Sequence, residues 1–111
     1  MIEKRIRDYL EDKLDIPVRM EEEESLIGRY IIVEKTGGSE RDHLASAILT
    51  IQSYAPTLYE AAELNEIVKN KMENIIELDD ISKCELNSDY NYTDTKRKKY
   101  RYQAVYDIIY F

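Results

Sequence analysis

The sequence predicts an α+β domain: a mostly antiparallel or mixed sheet of four to five strands with two helices packed on it, in the order α-β-β-β-α-β-β. Three observations lead there. Apolar residues recur three or four apart near the start of the chain and again after Pro56. A β-branched run precedes a glycine pair, and strict two-residue alternation runs through most of the last thirty residues. With 111 residues, the chain has enough apolar material for one modest core, so residues 1–111 read as a single domain.

Ile2, Ile6, Tyr9, Leu10 and Leu14 make one apolar stripe, with Glu3, Lys4, Arg7, Asp8, Glu11 and Asp12 between them, which predicts a helix over 2–14 that Pro17 stops. Val18-Arg19-Met20 is a short strand candidate, and the like charges of Glu21, Glu22, Glu23 and Glu24 favour a solvated loop. Residues 30–35 (Tyr30-Ile31-Ile32-Val33-Glu34-Lys35) read as a strand, and Thr36-Gly37-Gly38-Ser39 as the hairpin turn after it. Residues 43–53 are apolar on both alternations at their centre and predict a strand inside the sheet, paired with the one before the glycines.

Pro56 ends that strand, and Thr57-Leu58-Tyr59-Glu60 fits a capping box opening a helix over 57–76, with Ala61, Leu64, Val68, Met72 and Ile75 as its buried stripe. Such a helix crosses over the sheet, and the strands it connects are candidate neighbours. Cys84, Leu86, Tyr90 and Tyr92 alternate with polar residues over 81–92. Tyr100, Tyr102, Ala104, Tyr106, Ile108 and Tyr110 do the same at the end of the chain, so the two segments predict a hairpin joined through 93–99.

Composition narrows the function. The net charge is −7, and no apolar run approaches the roughly 20 residues that span a bilayer, which predicts a soluble chain with no membrane partner. The mixed-charge start lacks the apolar centre of a secretory signal, and a single cysteine permits neither an intrachain disulfide nor a thiolate zinc site, so a reducing cytoplasm is the expected folding compartment. The only histidine, His43, has no nucleophile or metal partner near it in sequence and reads as an ordinary strand-end residue. Cys84 reads as a buried structural thiol. Asp79-Asp80 and the Glu21–Glu24 run lack calcium-loop spacing, and the Gly37-Gly38 turn lacks a phosphate-binding fingerprint. The expectation is no enzyme, no cofactor and no metal.

The charge pattern suggests interfaces instead. Lys96, Arg97, Lys98 and Lys99 form a basic block in an acidic chain, with Tyr100 and Tyr102 beside it. Three roles are open to it: solvated surface, binding phosphate backbone with stacked bases, or meeting the acidic Glu21–Glu24 loop of a neighbouring copy, which would steer a head-to-tail ring. The candidate interface is therefore Glu21, Glu22, Glu23, Glu24, Lys96, Arg97, Lys98, Lys99, Tyr100 and Tyr102.

The runs Gln52–Asn65, Leu86–Asp94 and Tyr100–Asp107 together resemble small proteins of long-tailed bacteriophages labelled minor capsid or tail terminator. In those families an apolar-Gln-apolar strand enters a Glu-Ala-x-x-Leu helix, and a later hairpin ends in an aromatic strand. Ile51 to Leu64 follows that order. The resemblance implies a virion protein, assembled in the bacterial cytoplasm, that forms a ring of typically six copies. Such a ring caps the tail tube, meets the head connector and works by protein binding. A head-to-tail joining component is the sibling reading, and a small nucleic-acid-binding regulator using the 96–99 tip is the alternative from another class. Nucleic acid otherwise enters only as a genome passing through the ring.

Overall fold

The structure is a computed structural model that describes residues Met1–Phe111. It is an α+β fold with the element order expected: α1 (Ile2–Lys13), β1 (Val18–Arg19), β2 (Tyr30–Arg41), β3 (Leu44–Ala55), α2 (Leu58–Met72), a 3-10 turn (Ile75–Glu77), β4 (Ile81–Asn91) and β5 (Tyr100–Tyr110). The sheet has five strands in the order β1-β2-β3-β5-β4. Only β1 and β2 run parallel; the other three pairings are antiparallel, so the sheet is mixed.

Both helices pack on the same face. The stripe of α1 (Ile2, Ile6, Tyr9, Leu10) and that of α2 (Leu64, Val68, Met72) join Ile31, Val33, Leu49, Ile51, Ala104, Tyr106 and Ile108 in one buried cluster. Each fully buried Ile or Leu there contributes about 1.5–3 kcal/mol relative to exposure. Thr57 caps α2 as expected, its Oγ1 accepting from the Glu60 backbone N at 3.2 Å. The Tyr9 hydroxyl donates to the Lys71 carbonyl at 2.9 Å, tying the two helices together. Arg5 grips Asp80 through Nε and a terminal nitrogen at 3.0–3.2 Å, fixing the start of α1 against the entry to β4.

Four expectations are corrected. The hairpin turn is not Thr36-Gly37-Gly38-Ser39, which lies inside β2 next to a bulge between Lys35 and Gly37. The chain reverses at Asp42-His43, both at positive φ (51° and 67°), with Arg41 paired to Leu44, as a two-residue primed turn requires. Gly38 lies close to the neighbouring strand: an added Cβ would sit 3.1 Å from the Ser46 carbonyl oxygen and would push aside the end of the Lys35 side chain. The second helix closes at Met72 rather than near 76, and the chain tightens into the 3-10 turn that still buries Ile75. The strands that α2 connects are not neighbours, because β5 lies between β3 and β4. Finally, Cys84 and Leu86 do not share a face with Tyr90, since a bulge between Leu86 and Ser88 flips the alternation.

The turn carries a strained residue that a simple exchange relieves. Replacing Asp42→Asn together with His43→Gly is expected to raise stability by roughly 0.5–1 kcal/mol, the left-handed penalty removed at His43 less the entropy glycine adds to the unfolded chain. Urea unfolding checks this; a loss of stability would mean that the native turn is of another type.

Candidate protein-binding surface

The helices clothe one face of the sheet, and the loop after β1 packs on part of the other, with Leu26 against Tyr30, Ile32 and Tyr54. On that second face Tyr30 and Tyr54 stack with ring centroids 4.5 Å apart and planes 11° apart. The Arg101 guanidinium lies over the Tyr92 ring at 4.5 Å and the Tyr54 ring at 5.6 Å, while it donates to the Tyr54 hydroxyl at 2.8 Å and the Tyr92 carbonyl at 2.6 Å. The Tyr54 hydroxyl donates to Gln52 Oε1 at 3.3 Å, Gln52 Nε2 donates to Gln103 Oε1 at 2.9 Å, and Gln103 Nε2 donates to the Tyr90 hydroxyl at 2.6 Å. Cross-strand register explains the chain: Gln52 sits opposite Gln103, and Gln103 opposite Tyr90.

The sequence-predicted interface residues all come to one end of the sheet. The loop after β1 carries Glu21–Glu24, and the β4–β5 turn carries Lys96–Lys99. They meet within one chain: Lys99 Nζ donates to Glu22 Oε1, and the Tyr30 hydroxyl donates to the same carboxylate at 2.9 Å. Glu23 pairs with Arg19 at 3.7 Å and Arg97 with Asp94 at 3.8 Å. Glu21, Glu24, Lys96 and Lys98 have no ion-pair partner. Tyr100 and Tyr102 lie opposite Ala55 and Ser53 on the helix-bearing side, so they are separated from the Glu22–Lys99 contact by the sheet itself. Sequence reading missed Tyr30, Tyr54, Arg101 and Gln103; the signal was Arg101 and Gln103 on the polar alternation of β5, opposite the tyrosine and glutamine that end β3.

The charged and phenolic groups of this surface are engaged with one another. Lys99 holds the Glu22 carboxyl below its ordinary range, with Tyr30 adding to the effect. Burial raises the Tyr30 phenol, reinforced by Glu22, and burial raises Tyr54. On the helix-bearing side burial pushes the half-buried Cys84 thiol up to about 11. No three His, Cys, Asp or Glu side chains converge. His43 is exposed at the β2–β3 turn.

Elsewhere the surface is open and apolar in places. On the second face Ile48 is 42 % exposed and neighbours the half-buried Val105 and Ile109, while at the loop end Ile27 is 84 % and Tyr59 76 % exposed. Beside α2, where β4 has no helix over it, a groove of about 380 Å³ runs between Met72 and Glu73 on one wall and Cys84, Leu86 and Tyr106 on the other. No protein-family model matches the chain, and no curated protein matches it.

Glu22 is the clasp of the loop over the second face. Its folded pKa is depressed, so its contribution is present above about pH 4.3, the ordinary glutamate value, and is lost as pH falls through the lower folded value. Glu22→Gln at pH 7 is expected to weaken loop closure by roughly 1 kcal/mol, discounted for a partly exposed pair. Amide exchange of residues 20–29 would rise about fivefold while α2 stays protected; unchanged exchange would remove the clasp.

Proposed function

We propose that this protein is a virion assembly subunit of a long-tailed bacteriophage or prophage, a tail terminator or tail-completion protein that caps the tail tube and joins it to the head by protein-protein binding. The observation that carries the reading is a sheet with helices on one face only, whose β4 edge and Glu34–Arg41 stretch of β2 carry no further strand, with exposed apolar side chains at several sites. That is equipment for binding partners of its own kind and flat protein surfaces. The resemblance of the strand-to-helix passage from Ile51 to Leu64, and of the aromatic closing strand, to phage tail-terminator proteins supports the specific assignment.

The partners under this reading are sister copies in a ring, the tail tube protein and the head connector. The nucleic-acid alternative has less to work with. Lys99 is engaged by Glu22, and the Tyr92 ring already carries Arg101, which leaves Lys96, Arg97 and Lys98 as a small basic tip on an acidic chain.

Electron microscopy of lysates from the parent phage lacking this reading frame, with and without restoration from a plasmid, tests the proposal. Overlong tails beside filled, unattached heads are the expected outcome. Normal-length tails that fail to attach would move the protein to the joining apparatus, and normal particles would overturn the assembly reading.

A further inference from the structure

The loop after β1 lies on the second face without joining the sheet. Of residues 21–28 all but Leu26 are exposed. Their one backbone hydrogen bond is internal, from the Leu26 N–H to the Glu23 carbonyl at 3.1 Å, so no main-chain bond ties the loop to the strands beneath it. Two side chains hold it there. The Glu22 carboxylate accepts from Lys99 Nζ and from the Tyr30 hydroxyl, and four residues later Leu26 packs on Tyr30, Ile32 and Tyr54. The Glu23–Arg19 pair at 3.7 Å reaches only β1.

The receiving side is built more firmly than the loop it receives. Tyr30 and Tyr54 are stacked, Ile32 is set in β2, and Arg101 is fixed between two tyrosine rings by bonds to the Tyr54 hydroxyl and the Tyr92 carbonyl. The result is a carboxylate receptor made of a lysine, a phenol and a nearby guanidinium, beside an aromatic shelf for an aliphatic side chain. The chain's own Glu22 and Leu26 fill it. The turn that supplies Lys99 also carries Lys96, Arg97 and Lys98, and none of these three pairs with the loop: Arg97 reaches Asp94 at 3.8 Å, and Lys96 and Lys98 have no ion pair.

We infer that this end of the second face is a docking site for an acidic segment of another protein, one that presents a carboxylate and, four residues later, an aliphatic side chain, and that residues 21–28 occupy the site until such a segment displaces them. Charge favours the exchange, because a segment with further acids meets Lys96, Arg97 and Lys98, which the loop leaves free of itself. A second copy has no such advantage: its own loop must leave an identical site to reach this one. The partner is therefore a different chain. The inference rests on the protein-binding reading above and specifies the chemistry of one partner.

Fluorescence anisotropy with a labelled peptide copying residues Met20–Gly28, added to the full chain, tests it. A chain carrying Glu22→Gln with Leu26→Ser has its loop released, seen as faster amide exchange over 21–28 with α2 still protected, and is expected to bind the peptide at least tenfold more tightly than the wild type. Lys99→Glu also releases the loop but removes the receptor, so that chain is expected to bind at least tenfold more weakly than the double variant. A peptide with glutamine at the Glu22 position should lose about fivefold. Loop amides that exchange no faster in the double variant, no binding to it, or equal binding by Lys99→Glu would each overturn the site. Tighter binding of a labelled oligothymidylate than of the peptide would make it a phosphate receptor and overturn the acidic-segment assignment. If the peptide fails while the deletion phage still shows overlong tails, the assembly reading stands without this site.

Discussion

Everything in this fold depends on burying one face of the sheet under two helices. β3 is the axis of that arrangement: it is paired on both sides, and Leu49 and Ile51 are fully buried between β2 and β5 and beneath the helix layer. Ala61 on α2 and Ala104 on β5, both fully buried, keep helix and sheet close. With 111 residues there is apolar material for one such layer and not for two. The consequence is an open sheet, clothed on one side, with its edges and second face left to other devices.

The second face shows what those devices are. Gln52 and Gln103 are buried, and a buried amide without partners would cost on the order of 1–3 kcal/mol. Register solves this by placing each opposite the other, and the tyrosine hydroxyls at either end complete the chain of hydrogen bonds. Arg101 between two tyrosine rings, and Glu22 between Lys99 and Tyr30, bind the loop after β1 and the β4–β5 turn to that network. These contacts join the loop after β1, the end of β3 and the β4–β5 turn at one end of the sheet.

Much of this was legible before the structure. The helical stripes, the Thr57 cap and the alternation of β5 are local patterns whose physical meaning does not depend on distant residues, and each is present, although α2 ends at Met72 and leaves Ile75 to the 3-10 turn. The misreadings share a cause. The glycine pair looked like a turn because glycine permits positive φ, but here it serves close packing and a bulge, while Asp42 and His43 take the turn that Asn-Gly more often fills. The bulge in β4 and the insertion of β5 between β3 and β4 are set by pairing between strands, which no single segment records. Glu22 of the acidic run and Lys99 of the basic block meet inside one chain, a contact that the charge pattern alone had suggested only between copies. The Arg101 cluster was invisible because it joins three strands.

Helices cover one face of the sheet, while the β4 edge and the Glu34–Arg41 stretch of β2 carry no further strand. The most direct test is cryo-electron microscopy of the neck of particles made by the genome that encodes this chain. We expect several copies of this fold arranged as a ring between the tail tube and the head connector. Tube and connector in direct contact, with no density for this fold between them, would contradict the central claim.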